Sequence, residues 1–136
     1  MPFKTMGLAD PLVQGILATG YNAPTEIQAQ AIPAALAGKD IIGCAQTGTG
    51  KTAAFVLPIL HRIEHTVKAK RRRVKSLILT PTRELAVQVE KAIAGYGRFL
   101  DVTSLAVYGG TPIQKQFKML RRGVDIVVAT PGRLLD

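Results

Sequence analysis

Ile41-Ile42-Gly43-Cys44-Ala45-Gln46-Thr47-Gly48-Thr49-Gly50-Lys51-Thr52 decides how the rest of the chain is read. A branched apolar run gives way to a Gly-rich turn, and the turn to an apolar helix-forming segment that begins at Ala53. The turn fits the phosphate-loop pattern G-x-x-x-x-G-K-[ST], with Ala45 in the place of the first glycine. Glycines let backbone N–H groups turn inward around an anion, and a helix starting near Lys51 aims the positive end of its dipole at the same place. Lys51 then neutralises β- and γ-phosphates as a compact charge, and the Thr52 hydroxyl supplies one oxygen to Mg²⁺. Ala45, Gln46, Thr47, Gly48, Thr49, Gly50, Lys51 and Thr52 form the candidate phosphate-binding loop, with Lys51 and Thr52 as its chemically active members.

Upstream the pattern is helical. Asp10 reads as an N-cap with Pro11 at the first helical position, Leu12, Val13, Ile16 and Leu17 supply an apolar stripe, and Gly20 ends the helix, predicting helix over 10–19. Thr25-Glu26 opens a second helical stretch in which Pro33 should bend or restart the helix before Gly38 closes it. Downstream the period shortens: Ile41 to Cys44, Leu77 to Leu79, Thr103 to Val107 and Ile126 to Val128 are branched apolar runs between amphipathic segments. They read as strands buried on both faces, and their alternation with helices predicts an α/β fold with a mostly parallel sheet and right-handed crossovers. The 136 residues suffice for one core, so the expected organisation is one partial domain over 1–136, a helical region at 1–38 leading into an α/β core at 39–136.

Composition narrows the classes. With 47% apolar residues and 20% charged, the chain is too apolar for disorder. It carries a formal charge of +9, and the excess concentrates in residues 61–75, where seven bases face one acid. Such a balance favours polyanionic partners. The run KAKRRRVK at 68–75 reads as a loop, either a solvated connection or a holder of phosphates. A single cysteine, Cys44, forms no intrachain disulfide and suits a reducing compartment, where it reads as a small buried apolar residue. The first residues, MPFKTMG, lack the apolar stretch of a leader, and the longest apolar run, Ala53 to Leu57, is far below a membrane span. A soluble, cytoplasmic protein without a membrane partner is the expectation.

Thr80-Pro81, Thr111-Pro112 and Thr130-Pro131 each follow a strand or its extension and open a helix. In a parallel sheet such turns share the carboxyl edge of the strands, where open α/β sheets bind ligands. Arg83, Gly109, Gly110, Gly132 and Arg133 gather there on this reading. Helix N-termini, two arginines and bare glycine backbone suit several phosphates in a row, and hence a nucleic-acid strand contacted without base readout. A competing motif is His61-Arg62-Ile63-Glu64-His65, the H-x-x-E-H of inverted zinc peptidases. It offers no obvious third ligand, since Glu84 and Glu90 fall in the next helix, and its helix is the one the phosphate loop opens.

Together these residues resemble the first RecA-like domain of DEAD-box RNA helicases, over Phe3 to Leu135. Gly20-Tyr21-Asn22-Ala23-Pro24-Thr25-Glu26-Ile27-Gln28 resembles the family's Q motif, with Phe3 17 residues before Gly20. AQTGTGKT resembles motif I, PTREL at 81–85 motif Ia, Gly109-Gly110 the GG motif and TPGR at 130–133 motif Ib. The stretch from Gly7 to Ala45 and the ending RRGVDIVVATPGRLLD are similar to the bacterial RhlE-like subgroup. The resemblance implies a three-layer RecA-like P-loop fold, ATP and Mg²⁺ as cofactors, and RNA held by its sugar-phosphate backbone. It implies that Gln28 pairs its amide with adenine N6 and N7, that Phe3 packs on the base and that Thr25 supports the site. It places Pro81, Thr82, Arg83, Gly109, Gly110, Thr130, Pro131, Gly132 and Arg133 on RNA. One side-chain amide offers both the acceptor and the donor that this adenine edge requires.

The Asp-Glu-Ala-Asp tetrapeptide, the SAT motif and the second RecA-like domain with its arginine finger are absent from these 136 residues. No acid ends an apolar strand as a Walker-B acid would; Asp40 and Asp125 precede theirs. The expectation is a piece of a longer helicase, inactive alone. Two rivals remain at this point: another P-loop enzyme such as a small-molecule kinase, and a non-enzymatic basic RNA-binding module.

Overall fold

The structure, a computed structural model, describes residues 2–45, 50–66, 73–109 and 113–134. Gln46 to Thr49, most of the basic run at 68–75, Gly110, Thr111 and Pro112 lie outside them, as do the side chains of Ile113, Arg133 and Leu134. Two compact units emerge, Met1–His65 with Ala92–Asp101, and Thr66–Lys91 with Val102–Asp136.

The first unit is helical: a 3₁₀ turn at Phe3–Met6, then α1 (Asp10–Ala18), α2 (Glu26–Leu36) and α3 (Lys51–Glu64). In α1, Leu12, Val13 and Ile16 are buried, while Leu17 in the last turn stays 43% exposed. The residue before α1 is Ala9, so Asp10 is the first helical residue and not the cap; the Ala9 N–H instead donates to His61 Nδ1 of α3 at 3.1 Å. Gly20 follows the helix as expected, its N–H bonded to the Leu17 carbonyl. Pro33 neither stops nor restarts α2, which runs through it to Leu36. Only the bond from residue 33 to the Ala29 carbonyl is forfeited, a loss near the helix end. Burial in α3 falls on Val56, Leu57, Leu60 and Ile63, the spacing of a helix face turned to a core. Gly15 lets α1 approach Tyr96 closely: a methyl there would overlap the Tyr96 carbonyl.

Ile41 to Cys44 forms no strand, and Cys44 is exposed rather than buried. Ile42 is 97% exposed. A β-strand exists through its neighbour, and this segment finds none among the described residues. Ile41 and Gly43 instead border a cavity of about 510 Å³ lined by Ala31 and Ala35 of α2 and by Ala54 and Phe55 of α3.

The second unit holds a three-stranded parallel sheet of β1 (Ser76–Leu79), β2 (Ser104–Val107) and β3 (Ile126–Ala129), in the order β1-β3-β2. The strands alternate with α4 (Arg83–Tyr96), α5 (Ile113–Arg122) and α6 (Pro131–Leu134), the α/β pattern the sequence predicts. Ser76 and Ser104 both stand opposite Ile126, and Leu79 and Val107 opposite Ala129. At the amino ends, the buried Asp125 accepts from Lys75 Nζ at 2.7 Å and from the Thr103 N–H at 3.0 Å, joining the starts of all three strands. Burial on both faces holds only for the central strand: β3 is buried throughout, whereas β1 leaves Leu77 and Leu79 about half exposed. Edge strands are covered only where another layer lies on them, which the apolar run itself does not encode.

Candidate nucleotide and nucleic-acid sites

In the first unit the described part of the phosphate loop is Ala45 and Gly50 to Thr52. Gly50 precedes α3 with φ 86°, a left-handed conformation that favours glycine. A methyl there would also overlap Gln28 Nε2 and press on Thr25 Oγ1. Lys51, the first residue of α3, is exposed, and Thr52 is half-buried. The amino end of this 14-residue helix presents N–H groups that no helix carbonyl satisfies.

Gln28 connects the start of α2 to that loop. It is completely buried, accepts from the Thr25 N–H through Oε1 at 3.0 Å and donates through Nε2 to the Gly50 carbonyl at 3.2 Å. Both atoms that would pair with adenine are thus engaged with backbone here. The spacing Thr25-x-x-Gln28 is that of a capping box, whose glutamine arm is formed by the bond from the Thr25 N–H to Gln28 Oε1, and it is the signal by which sequence could have found this pairing; without the resemblance Gln28 reads as a surface helix residue. Thr25 Oγ1 is buried without a hydrogen-bond partner. Phe3 is buried at 2% exposure. A left-handed glycine, an exposed lysine at a helix start and an orphaned buried hydroxyl beside them fit a polyphosphate with its attached nucleoside.

In the second unit the carboxyl ends of the strands are tied together, the Thr80 N–H donating to the Ala129 carbonyl at 2.9 Å and the Thr130 N–H to the Val107 carbonyl at 3.0 Å. Thr80, Pro81 and Thr82 leave β1, Tyr108 and Gly109 leave β2, and Thr130, Pro131 and Gly132 leave β3, so these residues share one edge. Pro81, Thr82, Arg83, Gly109, Pro131 and Gly132 are exposed. Thr82, not Pro81, opens α4: its Oγ1 accepts from the Leu85 N–H at 3.2 Å, and Arg83 is the first helical residue. The Arg83 guanidinium carbon lies 6.0 Å from the centre of the Tyr108 ring, a contact the sequence reading missed. Asp125 sits at the opposite, amino end of the strands.

The profile of the DEAD/DEAH box helicase family matches residues 25–136. The chain belongs to this family. It is 46% identical over 134 residues to the DEAD-box ATP-dependent RNA helicase CshA of Bacillus cereus (strain ATCC 10987 / NRS 248), covering 98% of this chain and 25% of that protein. The chain therefore spans about a quarter of the length of this relative. The helicase-family match starts at Thr25, so it takes in Gln28, the phosphate loop and all three strand-exit turns, but not Phe3.

In this DEAD/DEAH box chain the H-x-x-E-H residues have a local role. His61 holds the Ala9 N–H, and its ring centre lies 4.2 Å from that of His65. The described residues contain no group of three or more metal-ligating side chains. Burial, and then the neighbouring His65, hold the His61 pKa below its ordinary 6.5. The neutral form is the one that accepts from Ala9, so the unfolded chain binds the extra proton first, and stability is complete above pH 6.5 and declines as pH falls toward the lowered folded value. Urea midpoints of the wild type should therefore drop between pH 7.5 and 5.5, and His61→Gln should flatten the drop; equal slopes would contradict this role.

Proposed function

We propose that this chain is the ATP- and RNA-binding part of an ATP-dependent RNA helicase. The observation that carries the reading is the buried bridge from Thr25 through Gln28 to Gly50, which couples a glutamine at the start of α2 to the residue preceding Lys51. Lys51 and Thr52 act on the nucleotide directly, the lysine on phosphate and the threonine hydroxyl on phosphate-bound Mg²⁺. Gln46, Thr47, Gly48 and Thr49 complete the loop, with Ala45 at its start. Gln28 reads adenine by exchanging its backbone partners for the base edge, and Phe3 and Thr25 support it. Bound Mg²⁺ supplies charge neutralisation at the phosphates.

RNA lies along the edge that carries Pro81, Thr82, Arg83, Gly109, Thr130, Pro131 and Gly132, held through its sugar-phosphate backbone without sequence preference, and the motifs assign Gly110 and Arg133 to RNA with them. Residues 1–136 constitute most of one RecA-like domain, 1–38 its helical Q-motif region and 39–136 its phosphate-loop core. A second RecA-like domain of the same protein closes on ATP and RNA together. The 136 residues contain no Asp-Glu-Ala-Asp sequence, so hydrolysis and unwinding are assigned to the full-length protein and not to this stretch alone. Among the described residues no helix is long and apolar enough to cross a membrane, and the reading places the protein in the cytoplasm.

Competition on the full-length protein tests this reading against a kinase with the same loop. Unlabelled ATP should displace a bound fluorescent adenine nucleotide, and GTP should do so at least about tenfold less well, since a mispaired amide leaves buried polar groups unsatisfied. Equal displacement would remove Gln28 as the base reader.

A further inference from the structure

We infer that Tyr108 is a positioning residue that orients Arg83 toward nucleic-acid phosphate. The inference rests on the reading of Arg83 as a phosphate contact and adds the residue that aims it. Arg83 and Tyr108 follow the two strands that flank β3, and they meet with the guanidinium carbon 6.0 Å from the ring centre. No carboxylate among the described residues pairs with Arg83, whose side chain is exposed. A free arginine on a surface samples many rotamers, and that freedom is lost on binding. The face of an aromatic ring attracts the guanidinium without consuming its in-plane N–H donors, which stay available for phosphate oxygens. Tyr108 is itself restrained: it is half-buried, and the buried Gln116 reaches its carbonyl through Nε2 at 3.5 Å. The carbonyl contact does not depend on the Tyr108 side chain, so substitutions there leave it in place.

The test is binding of a fluorescent single-stranded RNA to the full-length protein with a non-hydrolysable ATP analogue, across a salt series. Arg83→Ala should weaken binding about tenfold and lower the slope of log K against log salt by about 0.7, the loss of one phosphate contact on a single strand. Tyr108→Leu should weaken it about two- to fivefold, Tyr108→Phe, which keeps the ring, by less than about twofold, and the double variant Tyr108→Leu/Arg83→Ala no more than Arg83→Ala alone. Arg83→Lys keeps the charge but not the planar stacking and should lose about threefold with the salt slope retained, an arm that does not require Tyr108→Leu to fold. Additive losses in the double variant, a Tyr108→Phe as weak as Tyr108→Leu, or an Arg83→Lys as tight as wild type would each overturn the inference while leaving Arg83 on RNA. An Arg83→Ala of unchanged affinity and slope would instead overturn the phosphate contact, and the inference with it.

Discussion

Asp125→Ala should destabilise the sheet unit by about 3–5 kcal/mol, a large part of the roughly 5–15 kcal/mol that holds a domain folded. Asp125 is 2% exposed, and its carboxylate contacts Lys75 Nζ at 2.7 Å, the Thr103 N–H at 3.0 Å and Thr103 Oγ1 at 3.3 Å. Removing it leaves the Thr103 N–H without this acceptor next to an unfilled space, and it severs a side-chain tie between the starts of β1 and β2. Lys75 is 26% exposed, so its ammonium can turn to water, which places the expected loss toward the lower end of that range. Asp125→Asn should cost less, because an amide oxygen still accepts from Thr103. Urea unfolding followed by circular dichroism measures this, and an Asp125→Ala midpoint equal to that of the wild type would show that the strand starts hold together without the tie.

What could be read in the sequence was what depends on local pattern. Ser76–Leu79, Ser104–Val107 and Ile126–Ala129 fall where short branched runs predicted strands, and α3 begins at Lys51 where the glycine turn predicted a helix start. What escaped depends on partners distant along the chain. Ile41 to Cys44 has the composition of a strand, yet pairing is a property of two segments, and its apolar residues border a cavity beside α2 and α3 instead. Leu77 and Leu79 read as buried because composition reports apolarity and not what covers it. Asp125, before a strand, looks like ordinary loop polarity until the parallel register brings Lys75 and Thr103 to it. At the sites the phosphate loop was visible as a motif, because each position needs a particular residue type. The Gln28 bridge to Gly50 and the Arg83 contact with Tyr108 were not, since each joins residues separated by 22 or more positions.

Lys51→Ala should weaken ATP binding by the full-length protein about 10- to 150-fold, the equivalent of the roughly 1.5–3 kcal/mol that a hydrogen bond to a charged group contributes. The side chain stands exposed on the first residue of α3, next to a left-handed Gly50, and no other lysine occupies that loop. Its substitution removes charge from the phosphate end and leaves the base contact proposed for Gln28 untouched. The loss should therefore grow with the number of phosphates: small for AMP, larger for ADP and largest for ATP. Calorimetric titration of wild type and Lys51→Ala with the three nucleotides reads this directly. A deficit that rises from AMP to ATP is the predicted result; an equal deficit for all three, or none, would contradict the placement of the triphosphate at the start of α3.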